Sequence, residues 1–153
     1  PWMDRLPSSK PIPKLEFCDM AYFQREVRVN VSAEAAWDAL RDVGSLHRRL
    51  VRGFVTDCSF DGETRHLQFA NGVAAAERII AVSDADRRVS WSAVSERLSH
   101  HNASAQIFPE GDSACRVVWT VDLLPDAMAP AIEQMVLAGL QAIGATLENP
   151  AVA

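Results

Sequence analysis

A long amphipathic helix at the end of the chain, after a run of short strands, constrains the fold most. Apolar residues recur at helical spacing from Met128 to Leu147, and Pro130 is tolerated there because it falls in the first turn. We predict this helix over 126–148, with Asp126 as its cap. A sheet that curves around one helix can leave an interior that side chains do not fill. The pattern therefore predicts a hollow domain that holds a small apolar molecule.

Seven strands and two short helices are predicted before this final helix. The alternating valines from Val27 to Val31 indicate a first strand with one buried face. Ser32 is predicted to cap a helix that ends at Gly44, and a second short helix follows over 45–51. The strands are predicted over 22–31, 54–60, 64–70, 73–82, 87–94, 100–109 and 114–123.

Short turn signals connect these strands, and Asn71-Gly72 is the sharpest of them. Short connections favour sequential antiparallel pairing over a parallel sheet. We therefore predict an α+β fold of helix-grip type, a seven-stranded curved antiparallel sheet around the C-terminal helix in the order β-α-α-β6-α. Its predicted parts are an extended or disordered arm over 1–21, rich in proline, a single domain over 22–148 and a tail over 149–153.

Composition and charge exclude several classes of protein. The formal net charge of −5 argues against nucleic-acid binding, which usually needs a basic face. No apolar run is long enough to cross a bilayer, and no secretory signal is visible. Cys18, Cys58 and Cys115 lack any paired spacing, so we interpret them as free thiols. Together these features predict a cytoplasmic protein.

Two polar residues interrupt the predicted inward faces of the sheet. Glu77 shares a face with Ala75, and His101 shares one with Ala103. A buried carboxylate costs several kcal/mol unless it is paired, hydrogen-bonded or protonated. Alternation leaves two interpretations open. Either both residues face the interior and need each other, water or a ligand, or a bulge or sheet edge puts them in solvent.

Four features follow one another along the chain: the segment from Val31 to Trp37, Glu77-Arg78-Ile79, the turn over 84–89 and Trp119 before the last helix. Their order and spacing resemble the Bet v 1/START-related (SRPBCC) superfamily, and within it the bacterial polyketide cyclase/dehydrase-like branch. The resemblance covers about 22–148. It implies the helix-grip fold with a cavity between sheet and helix.

A further likeness is to the plant abscisic-acid receptors of this superfamily. Glu77-Arg78-Ile79 resembles their Glu-Arg-Leu strand, and His101 after Arg97-Leu98 resembles their pocket tyrosine after the latch. Arg52 stands where they carry a lysine that meets the ligand carboxylate. Their gate loop has no counterpart here. The likeness implies that Glu77 and His101 line the cavity, and it implies no hormone sensing.

Other chemistry finds little support in the sequence. His100 and His101 are neighbours on a strand and point to opposite faces, so they cannot share a metal ion. The chain lacks a nucleophile elbow, a glycine-rich phosphate loop and a dinucleotide fingerprint. We therefore expect no metal and no cofactor. A pair between Cys58 and His101 across the cavity remains open, although no motif marks it.

The sequence predicts binding of a small apolar or amphipathic molecule such as a lipid, a polyketide or an aromatic metabolite. Two alternatives stay open: a cyclase or dehydratase that uses Glu77 and His101 as acid and base, and a partner-binding stress-response domain. A homodimer through the exposed edge of the first strand is compatible with the pattern. Arg52, Glu77 and His101 are the candidates for the polar end of the ligand. The predicted cavity wall consists of Trp37, Arg52, Phe54, Thr56, Phe69, Ala75, Glu77, Trp91, His101, Ala103, Trp119, Met128, Met135 and Leu140.

Overall fold

The computed structural model describes residues 21–150, and these residues form one curved antiparallel sheet with a long helix against it. The predicted seven strands are confirmed. In chain order they are β1 Ala21–Val29, β2 Val55–Phe60, β3 Thr64–Phe69, β4 Ala74–Ser83, β5 Arg88–Val94, β6 His100–Pro109 and β7 Cys115–Leu124.

The helices occupy the predicted places in the chain. Between β1 and β2 lie α1, Ala33–Leu40, and α2, Leu46–Arg49; after β7 a 3-10 turn, Asp126–Met128, leads into α3, Ala129–Glu148. This is the predicted order of one strand, two short helices, six strands and a final helix. The helix-grip α+β fold is therefore confirmed.

Strand order in the sheet is β1-β7-β6-β5-β4-β3-β2, so β1 and β2 form its two edges. Strands β2 to β6 are each paired with the next strand along the chain, as the short turns predict, and β7 is also paired with β1. At the β3–β4 turn, Gly72 has a φ of +88°, and the backbone N–H of Val73 donates to Oδ1 of Asn71 at 3.0 Å. This tight turn sets the register that places Arg65 opposite Glu77.

The ends of two helices differ in detail from the prediction. Ser32 caps α1 as predicted, since its Oγ accepts from the N–H of Ala35 at 3.1 Å. The helix ends at Leu40, however, because the chain turns before Gly44. Asp126 makes no capping hydrogen bond, and the α-helix begins at Ala129 after the 3-10 turn.

Two predicted segments fall largely outside the described residues: the arm over 1–21, except residue 21, and the last three residues of the tail over 149–153. Within residues 21–150, no helix is both long and apolar enough to cross a membrane.

Helix α3 packs its apolar side on the concave face of the sheet. Val136, Leu140 and Ile143 are buried there, and they belong to the same core as Val117 and Val121 of β7. Residues just before α3 and in its N-terminal half are only partly buried, including Met128, Ile132 and Met135. The packing is therefore loosest where the helix begins.

Candidate functional site

The loose packing at the start of α3 corresponds to a cavity with two chambers. The inner chamber has a volume of about 50 Å³ and is enclosed by α1, α2, the sheet and α3, with Leu46, Arg65 and Ile143 in its wall. The outer chamber has a volume of about 230 Å³ and lies between the sheet and the N-terminal half of α3, with His101 and Met128 in its wall. Most of the wall of both chambers is apolar.

Five residues line both chambers, and we call them the waist of the cavity. Trp91 and Trp119 cross there edge to face, with ring centroids 5.7 Å apart. Aromatic rings at this spacing and angle attract each other and hold each other in place. The waist residues come from β3, β4, β5, β7 and α3 in turn: Phe69, Glu77, Trp91, Trp119 and Met135.

A buried ion pair joins the waist to the inner chamber. Arg65 and Glu77 are 3% and 8% exposed, and they face each other across β3 and β4. Nε and Nη2 of Arg65 donate to the same oxygen, Oε1 of Glu77, at 3.0 and 2.7 Å. The guanidinium also lies 5.3 Å from the centre of the Trp91 ring, within cation–π range. Oε2 of Glu77 accepts no hydrogen bond from the described residues.

His101 lies in the wall of the outer chamber in a fixed orientation. Its Nδ1 accepts a hydrogen bond from the backbone N–H of Ala93 at 2.9 Å. A neutral imidazole that accepts at Nδ1 carries its proton on Nε2, so this side chain presents a donor. Burial lowers the pKa of His101 below the ordinary value; nearby Glu77 opposes this shift and His100 adds to it. The neutral form is therefore favoured at neutral pH.

Trp119 carries a buried donor without a partner. Within residues 21–150 its Nε1 is shielded from solvent and makes no hydrogen bond. Buried polar groups are nearly always paired, and an unpaired one costs about 1–3 kcal/mol. The waist therefore contains one donor that nothing in the described chain satisfies.

Nine of the predicted wall residues do line the cavity. Glu77 and His101 are among them, so the interpretation that put them in solvent is not supported. They make no hydrogen bond to each other, however; Arg65 is the partner of Glu77. The nine are Phe54, Phe69, Ala75, Glu77, Trp91, His101, Trp119, Met128 and Met135.

Arg52, predicted at the polar end of the ligand, lies outside the cavity. Its guanidinium donates to the carbonyl oxygen of Asn149, and its backbone N–H donates to Oγ1 of Thr146 at 3.0 Å. Cations are favoured beside the carbonyls at a helix C-terminus. Arg52 therefore contacts the C-terminal end of α3, and it does not face an anionic ligand in the cavity.

Four other predicted wall residues also lie elsewhere. Nε1 of Trp37 donates to Asp84 at 2.9 Å, which points its indole toward the β4–β5 turn. Thr56 sits at a bulge in β2 and is exposed, because the bulge breaks the alternation. Ala103 and Leu140 are buried in the solid core and reach neither chamber.

Arg65 is the functional candidate that the sequence reasoning missed. Alternation in β3 places it on the same face as Leu67 and Phe69, both of which line the inner chamber. An arginine is by default assigned to solvent, so its type argues against the inward position that alternation gives it. The register of the β3–β4 turn would have paired it with Glu77.

Cys58 offers no nucleophile to this cavity. Its thiol lies 3.7 Å from the carbonyl oxygen of Val43, and burial raises the pKa of the thiol. No hydrogen bond joins Cys58 and His101 among residues 21–150, and Nδ1 of His101 accepts from the N–H of Ala93. Among residues 21–150, no three side chains of His, Cys, Asp or Glu come together in a way that could hold a metal ion.

One family model matches almost the whole described chain. It is the family described as polyketide cyclase / dehydrase and lipid transport, and the match covers residues 20–148. The match includes every strand and helix from β1 to α3. No curated protein sequence matches this chain.

Solved structures with the same fold come from several bacteria. An uncharacterised protein from Bacillus thuringiensis superposes with a TM-score of 0.74 at 20% identity, covering 83% of this chain and 98% of its own. The Zhui aromatase/cyclase from Streptomyces sp. R1128 gives 0.70 at 15%, covering 84% and 94%. A START superfamily protein from Mycobacterium smegmatis gives 0.66 at 12%, covering 83% and 97%. At these identities the likeness establishes the fold.

Proposed function

This chain belongs to the polyketide cyclase / dehydrase and lipid transport family, and from that premise we propose that it binds one small uncharged molecule in the cavity between α3 and the sheet. The proposed ligand has an apolar body and one hydrogen-bonding end. A single observation carries the proposal: an apolar cavity with two chambers has its few polar groups gathered at and beside the waist.

The ion pair argues for an uncharged ligand. The charge of Arg65 is already neutralised by Glu77 at a buried site, and Arg52 lies outside the cavity. An anionic ligand would have to compete with Glu77 for Arg65 and would leave a buried carboxylate unpaired, which is costly. A neutral molecule avoids both penalties.

The hydrogen-bonding groups define the polar end of the ligand. Oε2 of Glu77 is free to accept, so it favours a hydroxyl or N–H on the ligand. His101 presents a donor at Nε2, which favours a carbonyl or ether oxygen on the ligand. Nε1 of Trp119 is shielded from solvent, so it does not face the open space of the cavity. A small hydroxy-carbonyl compound with a ring or short alkyl body fits this set.

An acid/base reaction of the cyclase or dehydratase type is the second candidate, because Glu77 and His101 line the same chamber. Two contacts favour binding instead. Arg65 donates twice to Glu77, and Nδ1 of His101 is held by Ala93. Neither residue can take up a proton without weakening the contact that positions it.

A cavity-filling variant tests the proposal directly. Ala75→Leu puts a larger side chain into the outer chamber, whereas Ala76→Leu changes the next residue of β4, which lines a surface groove on the opposite face. The measurement is titration with N-phenylnaphthylamine, an uncharged probe that fluoresces in apolar surroundings. We expect Ala75→Leu to weaken binding at least about tenfold and Ala76→Leu to leave it unchanged.

Native mass spectrometry of gently purified protein complements the titration. A retained uncharged molecule with a hydroxyl or carbonyl group would support the proposal. Equal binding of the probe by the Ala75→Leu and Ala76→Leu proteins would contradict it. For the second candidate, Glu77→Gln would have to abolish turnover of a polyketide-like carbonyl substrate while probe binding persisted.

A further inference from the structure

The sheet splits at one place, between β5 and β6. Their pairing starts at Arg88↔Gln106 and stops at Trp91↔Ala103. Beyond that point β5 stays paired with β4 as far as Val94, and β6 stays paired with β7 from its first residue, His100. The last three residues of β5 and the first three of β6 are therefore not paired with each other, and they border a gap in the sheet. The loop over 95–99 connects the two strands at the far end of this gap.

Side-chain hydrogen bonds bridge this gap in place of the backbone ladder. Nδ1 of His101 accepts from the N–H of Ala93 at 2.9 Å, and Oγ of Ser92 donates to the carbonyl oxygen of His101 at 2.6 Å. Two contacts to one residue thus hold the strands together here. Breaking them leaves the β4–β5 and β6–β7 pairings in place, because both pairings extend past the gap.

The gap lies between two voids. On the outer face of the sheet a groove of about 760 Å³, which we call the sheet groove, is bordered by Ile80, Asn102 and Asp122. The residues that it shares with the outer chamber are Ala93, Val94, Ser95, Leu98 and His101. A single layer of side chains therefore separates the solvent-facing groove from the cavity, and that layer is mostly apolar.

We propose that the gap between β5 and β6 is the entrance through which the ligand passes from the sheet groove into the outer chamber, with His101 as the residue that closes it. This inference rests on the proposed function. The alternative entrance lies at the β3–β4 turn, where Val73 and Met128 border the same chamber. On that side Met128 belongs to the 3-10 turn before α3, whereas at the gap only two side-chain hydrogen bonds bridge the strands.

Blocking each entrance in turn distinguishes the two routes. In the full chain with Cys18→Ser, Ser95→Cys or Val73→Cys provides one exposed thiol for a bulky maleimide, since Cys58 and Cys115 are buried. Stopped-flow fluorescence then follows N-phenylnaphthylamine entering and leaving each labelled protein. We expect the label at Ser95 to lower both rates about tenfold or more, with a much smaller change in affinity, and the label at Val73 to leave them unchanged.

The opposite result, with slow exchange for the Val73 label and normal exchange for the Ser95 label, would overturn the inference while the proposed function stood. Failure of the unlabelled protein to bind the probe would overturn the proposed function itself. The two failures are therefore distinguishable.

A second pair of variants tests the effect of loosening the gap instead of blocking it, with one variant as the control. Ser92→Ala removes the hydrogen bond to His101, whereas Ser99→Ala changes a serine of the same groove whose side chain makes no hydrogen bond among residues 21–150. We expect Ser92→Ala to raise both rates several-fold over those of Ser99→Ala. Equal rates in the two proteins would contradict the role of His101 as the closing residue.

Discussion

Gly139 of α3 lies directly against the indole of Trp119. A Cβ atom added at Gly139 would stand 2.7 Å from Cζ3 and 3.0 Å from Cη2 of that ring, and 3.5 Å from a ring carbon of Phe54. The absent side chain therefore makes room for a tryptophan of the waist. The space beside Gly139 is therefore filled by the cavity wall and is not open to a ligand.

Gly139→Ala is expected to destabilise the protein. The indole is rigid and is packed on Trp91, so the whole ring has to move to accept the new methyl group. Overpacking of this kind costs about 1–3 kcal/mol. Urea denaturation followed by circular dichroism measures the loss in the free energy of unfolding. Titration with N-phenylnaphthylamine should also show weaker binding, because Trp119 is displaced toward the cavity.

Gly144→Ala is the matched control on the same helix. There an added Cβ would lie 3.7 Å from Cγ2 of Val27, an ordinary contact, and alanine is the better helix former by about 1 kcal/mol. We expect this variant to be as stable as the parent or more so. Equal stability of the two variants would show that Gly139 is not needed to accommodate Trp119.

The buried pair Arg65–Glu77 gives a second prediction. Arg65→Met removes the cation and leaves a buried carboxylate without its partner, which costs about 3–5 kcal/mol. The double variant Arg65→Met with Glu77→Leu replaces both charges with apolar groups and should recover most of that loss. Chemical denaturation of the three proteins provides the comparison.

The neighbouring pair Arg78–Glu63 provides the control for that experiment. Its two side chains are 61% and 64% exposed, and ion pairs in such positions contribute less than about 1 kcal/mol. Arg78→Met should therefore barely change the free energy of unfolding. A loss in Arg65→Met no greater than in Arg78→Met would contradict the structural importance of the buried pair.

Most of the fold could be predicted from the sequence because its signals are local. Alternation located the strands, and turn residues such as Asn71-Gly72 connected them in order. The same alternation put Glu77 and His101 on inward faces. It also put Arg65 inward, but the identity of the partner of Glu77 depends on register, which becomes visible only when β3 and β4 are paired.

The predicted wall residues that lie outside the cavity are positioned mainly by contacts with residues distant in sequence. Nothing near Thr56 signals the bulge that turns it outward. Trp37 is directed away from the cavity by Asp84, and Arg52 by the carbonyl of Asn149 at the end of α3. Such pairings follow from the packed structure and leave no periodic trace in the chain.

Arg52→Ala separates the sequence-based assignment from the structural one. Because Arg52 contacts the C-terminal end of α3 and lies outside the cavity, its loss should lower the free energy of unfolding by about 0.5–1 kcal/mol through the helix end. Probe affinity should stay the same. A large loss of probe affinity with unchanged stability would instead support the sequence-based assignment of Arg52 to the ligand site.

The pH dependence of stability tests the environment of His101. Burial lowers the pKa of His101 in the folded protein, so below about pH 6.5, the ordinary pKa of histidine, the unfolded chain binds a proton that the folded chain resists. The free energy of unfolding should therefore fall as the pH decreases from about 6.5 toward the lower pKa of the folded state. Above that window, this residue contributes no pH dependence.

His101→Asn isolates that contribution, because an amide oxygen can accept from Ala93 without titrating. Urea denaturation from about pH 8 to about pH 5 should give the wild type a stability that falls faster than that of the variant once the pH passes below about 6.5. Ser99→Ala, which borders the groove on the other face of the sheet and removes no titratable group, should retain the wild-type slope. Parallel curves for the wild type and His101→Asn would mean that the imidazole is as well solvated in the folded protein as in the unfolded chain. Such a result would contradict its burial in the wall of the cavity.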